Sequence, residues 1–144
     1  MKVTKEITFD VAHMLSYYEG KCANLHGHTY KLQVTLEGNV GDVSHHMVLD
    51  FNILKEVLNE SVMDVFDHAV VFSDPKLRNE AEDELYAWAE TYGKKYAVIP
   101  NGKTTCEDMA PYIRQLISEN LLSKQITAFV SVRLWETPTS FAEC

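Results

Sequence analysis

Two runs of strict alternation constrain this chain most. From Thr4 to Val11, Lys5, Ile7, Phe9 and Val11 share one parity, and Glu6, Thr8 and Asp10 the other. From Thr29 to Glu37, Tyr30, Leu32, Val34 and Leu36 are apolar, Lys31, Gln33, Thr35 and Glu37 are polar, and Gly38 ends the run. Side chains in a strand repeat every second residue, so each run reads as a strand with two distinct faces. The two are expected to pair as a long antiparallel hairpin, which sets His13 opposite His26 and His28.

Cys22-Ala23-Asn24-Leu25-His26-Gly27-His28 leads into the second strand. At strand spacing His26 and His28 share a face, and Gly27 adds no side chain to the other. With His13 they form a trio of imidazoles. Three neutral imidazoles and an open fourth position describe a catalytic zinc site rather than a structural one. The plain alternative is three ordinary half-buried histidines in a sheet, which the trio and its neighbouring thiol weigh against. Cys22 itself has three possible jobs: zinc ligand, reactive base or buried filler. Three histidines make it dispensable as a ligand, and a thiol near a metal but off it is free to act as a base or nucleophile. His45 and His46 fall in a polar loop and read as surface residues. Cys106 and Cys144 read as a small apolar residue and a tail residue.

Further along, Asp50 is expected to cap a helix with Phe51, Leu54, Val57 and Leu58 at helical spacing, running to about Val65. A short apolar piece, Phe66 to Phe72, encloses Asp67-His68. Glu80 to Tyr92 reads as an acidic helix with a solvated face, and Lys95 to Ile99 as a short strand. Thr104 or Thr105 caps a helix with Met109, Ile113, Leu116 and Ile117 as its stripe; Thr104 and Glu107 have the spacing of a capping box. Pro111 falls inside this stretch, where a place in the first turns costs little. Ile126 to Glu136 is the last strand. Glu136 continues its apolar face, an expensive place for a carboxylate unless something pairs with it. Such a carboxylate could grip the amidine-like edge of a guanine or pterin ring by two parallel hydrogen bonds. Asp67-His68 could be a carboxylate fixing an imidazole tautomer or, taken alone, a turn with a structural histidine.

At 144 residues and 46% hydrophobic composition the chain suits one α+β domain with a real core. No apolar stretch reaches membrane-spanning length, and Met1 to Glu6 has no signal-like run, so a cytoplasmic address is expected. Three cysteines, an odd number, show no disulfide framework. A net charge of −8 argues against a general nucleic-acid binder but leaves room for a small anionic substrate. A zinc deaminase lacks its H-x-E and P-C-x-x-C signatures.

Phe9-Asp10-Val11-Ala12-His13, Cys22 through His28, Val48-Leu49-Asp50-Phe51, Phe66-Asp67-His68, Thr105 through Ala110 and Trp135 through Ser140 together resemble the 6-pyruvoyltetrahydropterin synthase / 6-carboxytetrahydropterin synthase family. The resemblance implies zinc on His13, His26 and His28. It implies Cys22 as the proton-transferring base, Asp67 and His68 as a second acid/base unit, and Glu136 as anchor of the pterin ring. Thr105 and Glu107 would line the same pocket. It implies a tunnelling fold: an antiparallel four-stranded sheet with helices on one face, three sheets closing into a barrel, and two trimers stacked as a homohexamer with sites at subunit interfaces. The implied substrate is 7,8-dihydroneopterin triphosphate. The Glu136-Thr137-Pro138-Thr139-Ser140 ending resembles the bacterial branch, which makes 6-carboxy-5,6,7,8-tetrahydropterin for queuosine synthesis. The alternatives are the sister 6-pyruvoyl activity and a non-catalytic zinc- or pterin-holding module. The stretch around 73–103 is longer than the family's usual link and reads as an inserted helical segment.

Overall fold

A computed structural model describes residues 1–40 and 46–144. Strand β1 (Lys2–His13) and strand β2 (His26–Glu37) form the expected hairpin, in register from Lys2↔Glu37 to His13↔His26. Helix α1 (Phe51–Leu58) passes through a π-helical turn at Asn59–Met63 into a single further turn, α2 (Asp64–Phe66). Strand β3 (Ala69–Phe72), helix α3 (Glu80–Thr91), strand β4 (Tyr96–Val98), helix α4 (Cys106–Ser123) and strands β5 (Phe129–Thr137) and β6 (Ser140–Glu143) follow. His46 is exposed, and His45 lies outside the described residues.

The sheet has six strands in the order β4-β3-β1-β2-β5-β6 rather than four, and it is mixed rather than wholly antiparallel. β3 runs parallel to β1 through Val11↔Ala69 and Ala12↔Val70, and β4 parallel to β3. Ala69-Val70-Val71-Phe72 is a short, continuously apolar run, the pattern of a strand covered on both faces, so it carries no alternation to betray it. β6 is a four-residue strand folded back on β5 and was not expected from the sequence.

One face of the sheet is dry. Tyr30, Leu32, Val34 and Leu36 of β2 are fully buried, with Phe9 and Val11 of β1 and Val130, Val132 and Leu134 of β5 beside them. Leu54, Val57 and Leu58 of α1 and Met109, Ile113, Ile117 and Leu121 of α4 close over that face. Each such side chain stabilises the fold by about 1.5–3 kcal/mol on burial. α1 and α4 lie on that one face, as the alternation requires, whereas Tyr86 of α3 packs against Phe72, whose parity is opposite to that of the core residue Val71. Asp50 caps α1 by accepting from the Asn52 amide. Pro111 stands at the sixth position of α4, past the first turn, on an exposed side. No helix among the described residues is long and apolar enough to cross a membrane.

Candidate metal centre and active site

The hairpin's open end builds the centre. His13 closes β1 and His26 begins β2, directly paired; His28 is paired with Val11. All three point to the dry face by the pleat. The ring centroids are 4.5 Å apart for His13 and His26, 5.0 Å for His26 and His28, and 5.3 Å for His13 and His28. One nitrogen from each lies within 4.8 Å of the others. Gly27 eases the close pairing here: a Cβ on it would stand 3.2 Å from the Val11 carbonyl oxygen, a tight contact.

Two backbone carbonyls set the ring tautomers. His13 Nδ1 is 2.8 Å from the Thr104 oxygen, and His26 Nδ1 is 2.7 Å from the Asn24 oxygen. A carbonyl only accepts, so each Nδ1 carries the proton and each Nε2 presents a lone pair. The Nε2 atoms of His13 and His26 are buried with no hydrogen-bond partner. Burial holds His13 below the ordinary histidine value, outweighing the hydrogen bond to Thr104, and the neighbouring His26 and His28 lower it further. The ring is therefore neutral near pH 7. Orphaned, oriented imidazole nitrogens are what a divalent metal requires, and carbonyl-held outer nitrogens are its usual support. The donor set fits zinc.

Glu136, near the end of β5, reaches the same place. Its Oε1 lies 3.7 Å from His13 Nε2 and 3.8 Å from His28 Nε2, and accepts from the Tyr30 hydroxyl at 3.2 Å. Tyr30 is wholly buried, and burial followed by the Glu136 charge pushes its phenol far above the usual range, so it remains a donor. Tyr30 is a site residue that sequence reading placed only in the core stripe, because both roles occupy the same parity. Glu107 lines a small cleft with Cys106, Glu136, Ser140 and Phe141. Thr105 is the N-cap of α4 without a side-chain cap bond. The Thr104–Glu107 capping box does not form. Thr104 is fully buried, and its hydroxyl donates to the Met14 oxygen at 2.6 Å while its own carbonyl holds His13. It belongs to the metal centre's support rather than to the helix cap.

Cys22 sits in a single 3₁₀ turn (Lys21–Ala23), half-buried and free. Its Sγ is not among the metal-ligating atoms gathered within 4.8 Å. The Cys22 carbonyl accepts from the Leu15 amide at 2.9 Å, folding the loop between β1 and β2 back on itself. Cys106 is a different thiol: buried, bonded to the Leu134 oxygen, and pushed up to about 11 by burial.

Asp67 and His68 do touch. His68 Nδ1 is 2.9 Å from Asp67 Oδ2, with His68 in the left-handed region at φ 60°. Asp67 Oδ1 accepts from the Asp10 amide at 3.0 Å, and the His68 amide donates to the Asp10 oxygen at 2.8 Å. The Asp10 amide, foremost, holds the Asp67 carboxyl below the usual carboxylate range. Asp10 and Thr29 belong to the opposite parity from His13 and His28, and the Thr29 hydroxyl donates to Asp10 at 2.5 Å. The pair therefore lies across the sheet from the imidazoles. It borders an outward groove of about 420 Å³ lined also by Asp10, Gly27 and Thr29. The structure brings the trio and Glu136 together, puts Glu107 in a cleft beside Glu136, and sets Asp67 and His68 apart from the trio.

Known proteins resemble this chain along its whole length. The family described as 6-pyruvoyl tetrahydropterin synthase matches residues 2–144. A 6-carboxy-5,6,7,8-tetrahydropterin synthase of Haemophilus influenzae is 38% identical over 144 residues, covering 99% of this chain and 96% of that protein. One from Rickettsia conorii is 29% identical, covering 99% of each. Among solved structures, a 6-pyruvoyltetrahydropterin synthase of Plasmodium vivax superposes with a TM-score of 0.76 at 20% identity, covering 100% of this chain and 96% of that one. That likeness establishes the tunnelling fold. With a match over nearly its whole length and a full-length relative at 38% identity, the chain belongs to the 6-pyruvoyl tetrahydropterin synthase family.

Proposed function

We propose that this chain is a zinc-dependent 6-carboxy-5,6,7,8-tetrahydropterin synthase. It would convert 7,8-dihydroneopterin triphosphate, with uptake of water, to 6-carboxytetrahydropterin, acetaldehyde and triphosphate, in the cytoplasm and in service of queuosine synthesis. The observation that carries the reading is the pair of orphaned Nε2 atoms on carbonyl-oriented imidazoles. The names of the full-length relatives support the product.

His13, His26 and His28 would hold the zinc, which when bound supplies Lewis acidity toward the substrate's side-chain hydroxyls. Glu136 would take the pterin ring edge by paired hydrogen bonds, with Tyr30 fixing its carboxylate, and Thr105 and Glu107 would line the same end. Cys22 would remove a side-chain proton as the thiolate, and His68, steadied by Asp67, would move protons elsewhere on the side chain. Asp67 and His68 face away from the imidazoles of their own chain, so a neighbouring chain's pair would serve each centre. A homohexamer of two stacked trimers, with three sheets closed into a barrel, would supply that neighbour. Exposed Phe129, Phe141, Tyr17 and Tyr18 are apolar surface such an assembly would cover.

The purified protein, analysed for metal, should carry one zinc per chain and yield 6-carboxytetrahydropterin by product mass. A product of 6-pyruvoyltetrahydropterin mass would establish the sister activity instead, the reading suggested by the family's description. Absence of any turnover by metal-loaded protein would leave a binding module.

A further inference from the structure

Glu82 is fully buried in a helix whose sequence reads as a solvated acidic face. Asn79-Glu80-Ala81-Glu82 has the spacing of a capping box, and Asn79 Oδ1 does accept from the Glu82 amide at 3.0 Å. In the ordinary form the glutamate returns to the cap residue's own amide. Here a third residue is interposed. The Asn79 amide donates to Ser16 Oγ at 3.1 Å, and the Ser16 hydroxyl donates to Glu82 Oε2. Glu82 Oε1 accepts from the Ser73 amide at 2.6 Å. Next to it, the Tyr17 hydroxyl donates to the Arg78 carbonyl at 3.1 Å, and Arg78 is itself buried, its Nε donating to the Ser73 oxygen and its guanidinium 4.1 Å above the Tyr86 ring.

Ser16 and Tyr17 belong to the loop between β1 and β2. That loop starts directly after His13 and carries Cys22, and the Leu15–Cys22 bond ties its two limbs together. The start of α3 thus grips the loop at Ser16 and Tyr17, one residue from that tie. A buried carboxylate is costly unless every oxygen is served, and removing one partner exposes the full cost. Glu82 has both oxygens served, one of them by the loop.

We propose that Glu82 and Ser16 are positioning residues: through an expanded helix cap, α3 holds the loop that presents Cys22 beside the metal centre. The segment around 73–103 would then be part of the active-site architecture. The catalytic half of this proposal rests on the reading of Cys22 given above.

The test uses the full-length, metal-loaded protein with Ser16→Ala and, as an isosteric second variant, Glu82→Gln. Hydrogen exchange over residues 14–25 should quicken about tenfold in both, with β2 and β5 unchanged. Alkylation of Cys22 by iodoacetamide should change in rate by several-fold, zinc content should hold, and kcat should fall about tenfold with KM within about twofold. Unchanged exchange and alkylation in both variants would overturn the proposal, as would a loosened loop with an unaltered kcat. Cys22→Ala, assayed alongside, separates the two ideas. Full turnover in that variant would remove Cys22 as the base and with it the catalytic half, while exchange and alkylation in the other two still decide the clamp.

Discussion

The imidazole trio and the Asp67–His68 pair meet the same hairpin end, one built by it and the other hydrogen-bonded to its Asp10, and could hardly differ more. The trio lies on the dry face, with ring nitrogens held by the carbonyls of Thr104 and Asn24 and with His13 only 1% exposed. The pair lies on the other face, held to Asp10, with the His68 side chain 75% exposed. A metal site must exclude competing water and fix its ligands, and a single chain brings all three imidazoles together. A proton shuttle, the role proposed for the pair, must approach a substrate, and the pair is left open toward whatever surface meets it. The difference teaches that hairpin register is enough to gather the three imidazoles, whereas Asp67 and His68, in the acid/base role proposed for them, would acquire their work only from a second surface.

The sharpest break of this comparison removes the enclosed side. His28→Ala should lose bound zinc and lower turnover about 10³-fold or more; metal analysis and steady-state rates check both. Next comes the open side. His68→Ala should retain zinc while losing on the order of 10²–10⁴-fold in kcat, the range for a general acid or base. Co-assembled with Cys22→Ala chains it should regain activity, because some centres then combine an intact thiol with an intact neighbour's histidine. No recovery in mixed assemblies would mean that each pair serves its own chain.

A smaller effect is expected at the support. Thr104→Val removes the hydroxyl bonded to the Met14 oxygen and should weaken zinc binding by roughly 10–100-fold, as for other outer partners of metal ligands, measured by competition with a chelator. The smallest effect is a pH signature of the metal-free protein. His13 is depressed below its ordinary value of 6.5, so the unfolded chain binds the extra proton first. Its contribution to stability is complete above pH 6.5 and declines as pH falls from there toward the folded value. Asp67 is depressed below 3.8, so its contribution persists to that pH and is lost only below it. Thermal scans of the metal-free protein should therefore show the His13 share fading first, and His13→Asn should erase only that earlier decline.

The parts of this molecule legible in its sequence are those with a period. Alternation in β1 and β2 was enough to place Tyr30, Leu32 and Val34 inside and to bring His13 against His26, since a strand's faces are fixed by parity. The helical stripes of α1 and α4 were readable for the same reason. β4 was readable as the short strand expected from Lys95 to Ile99, whereas β3 escaped because a strand covered on both faces has no alternation, and β6 because four residues are too few to show one. Glu82 was hidden by its neighbours: in an acidic helix one buried glutamate looks like the rest until Ser16 is seen beside it. Thr104 was misplaced because its useful group is a backbone carbonyl, which every residue possesses and no motif records. The handedness of Asp67 and His68 relative to the trio depends on the chain's re-entry after α2, a tertiary fact with no local signal.

The pairing His13↔His26 carries one more consequence. A zipper misaligned by a single tooth would leave the first ligand inside and turn the other two out to water. Only the properly closed sheet could keep an ion there, so coordination on the proposed reading would double as a proofreading step, rewarding the right alignment of the two longest strands and no other.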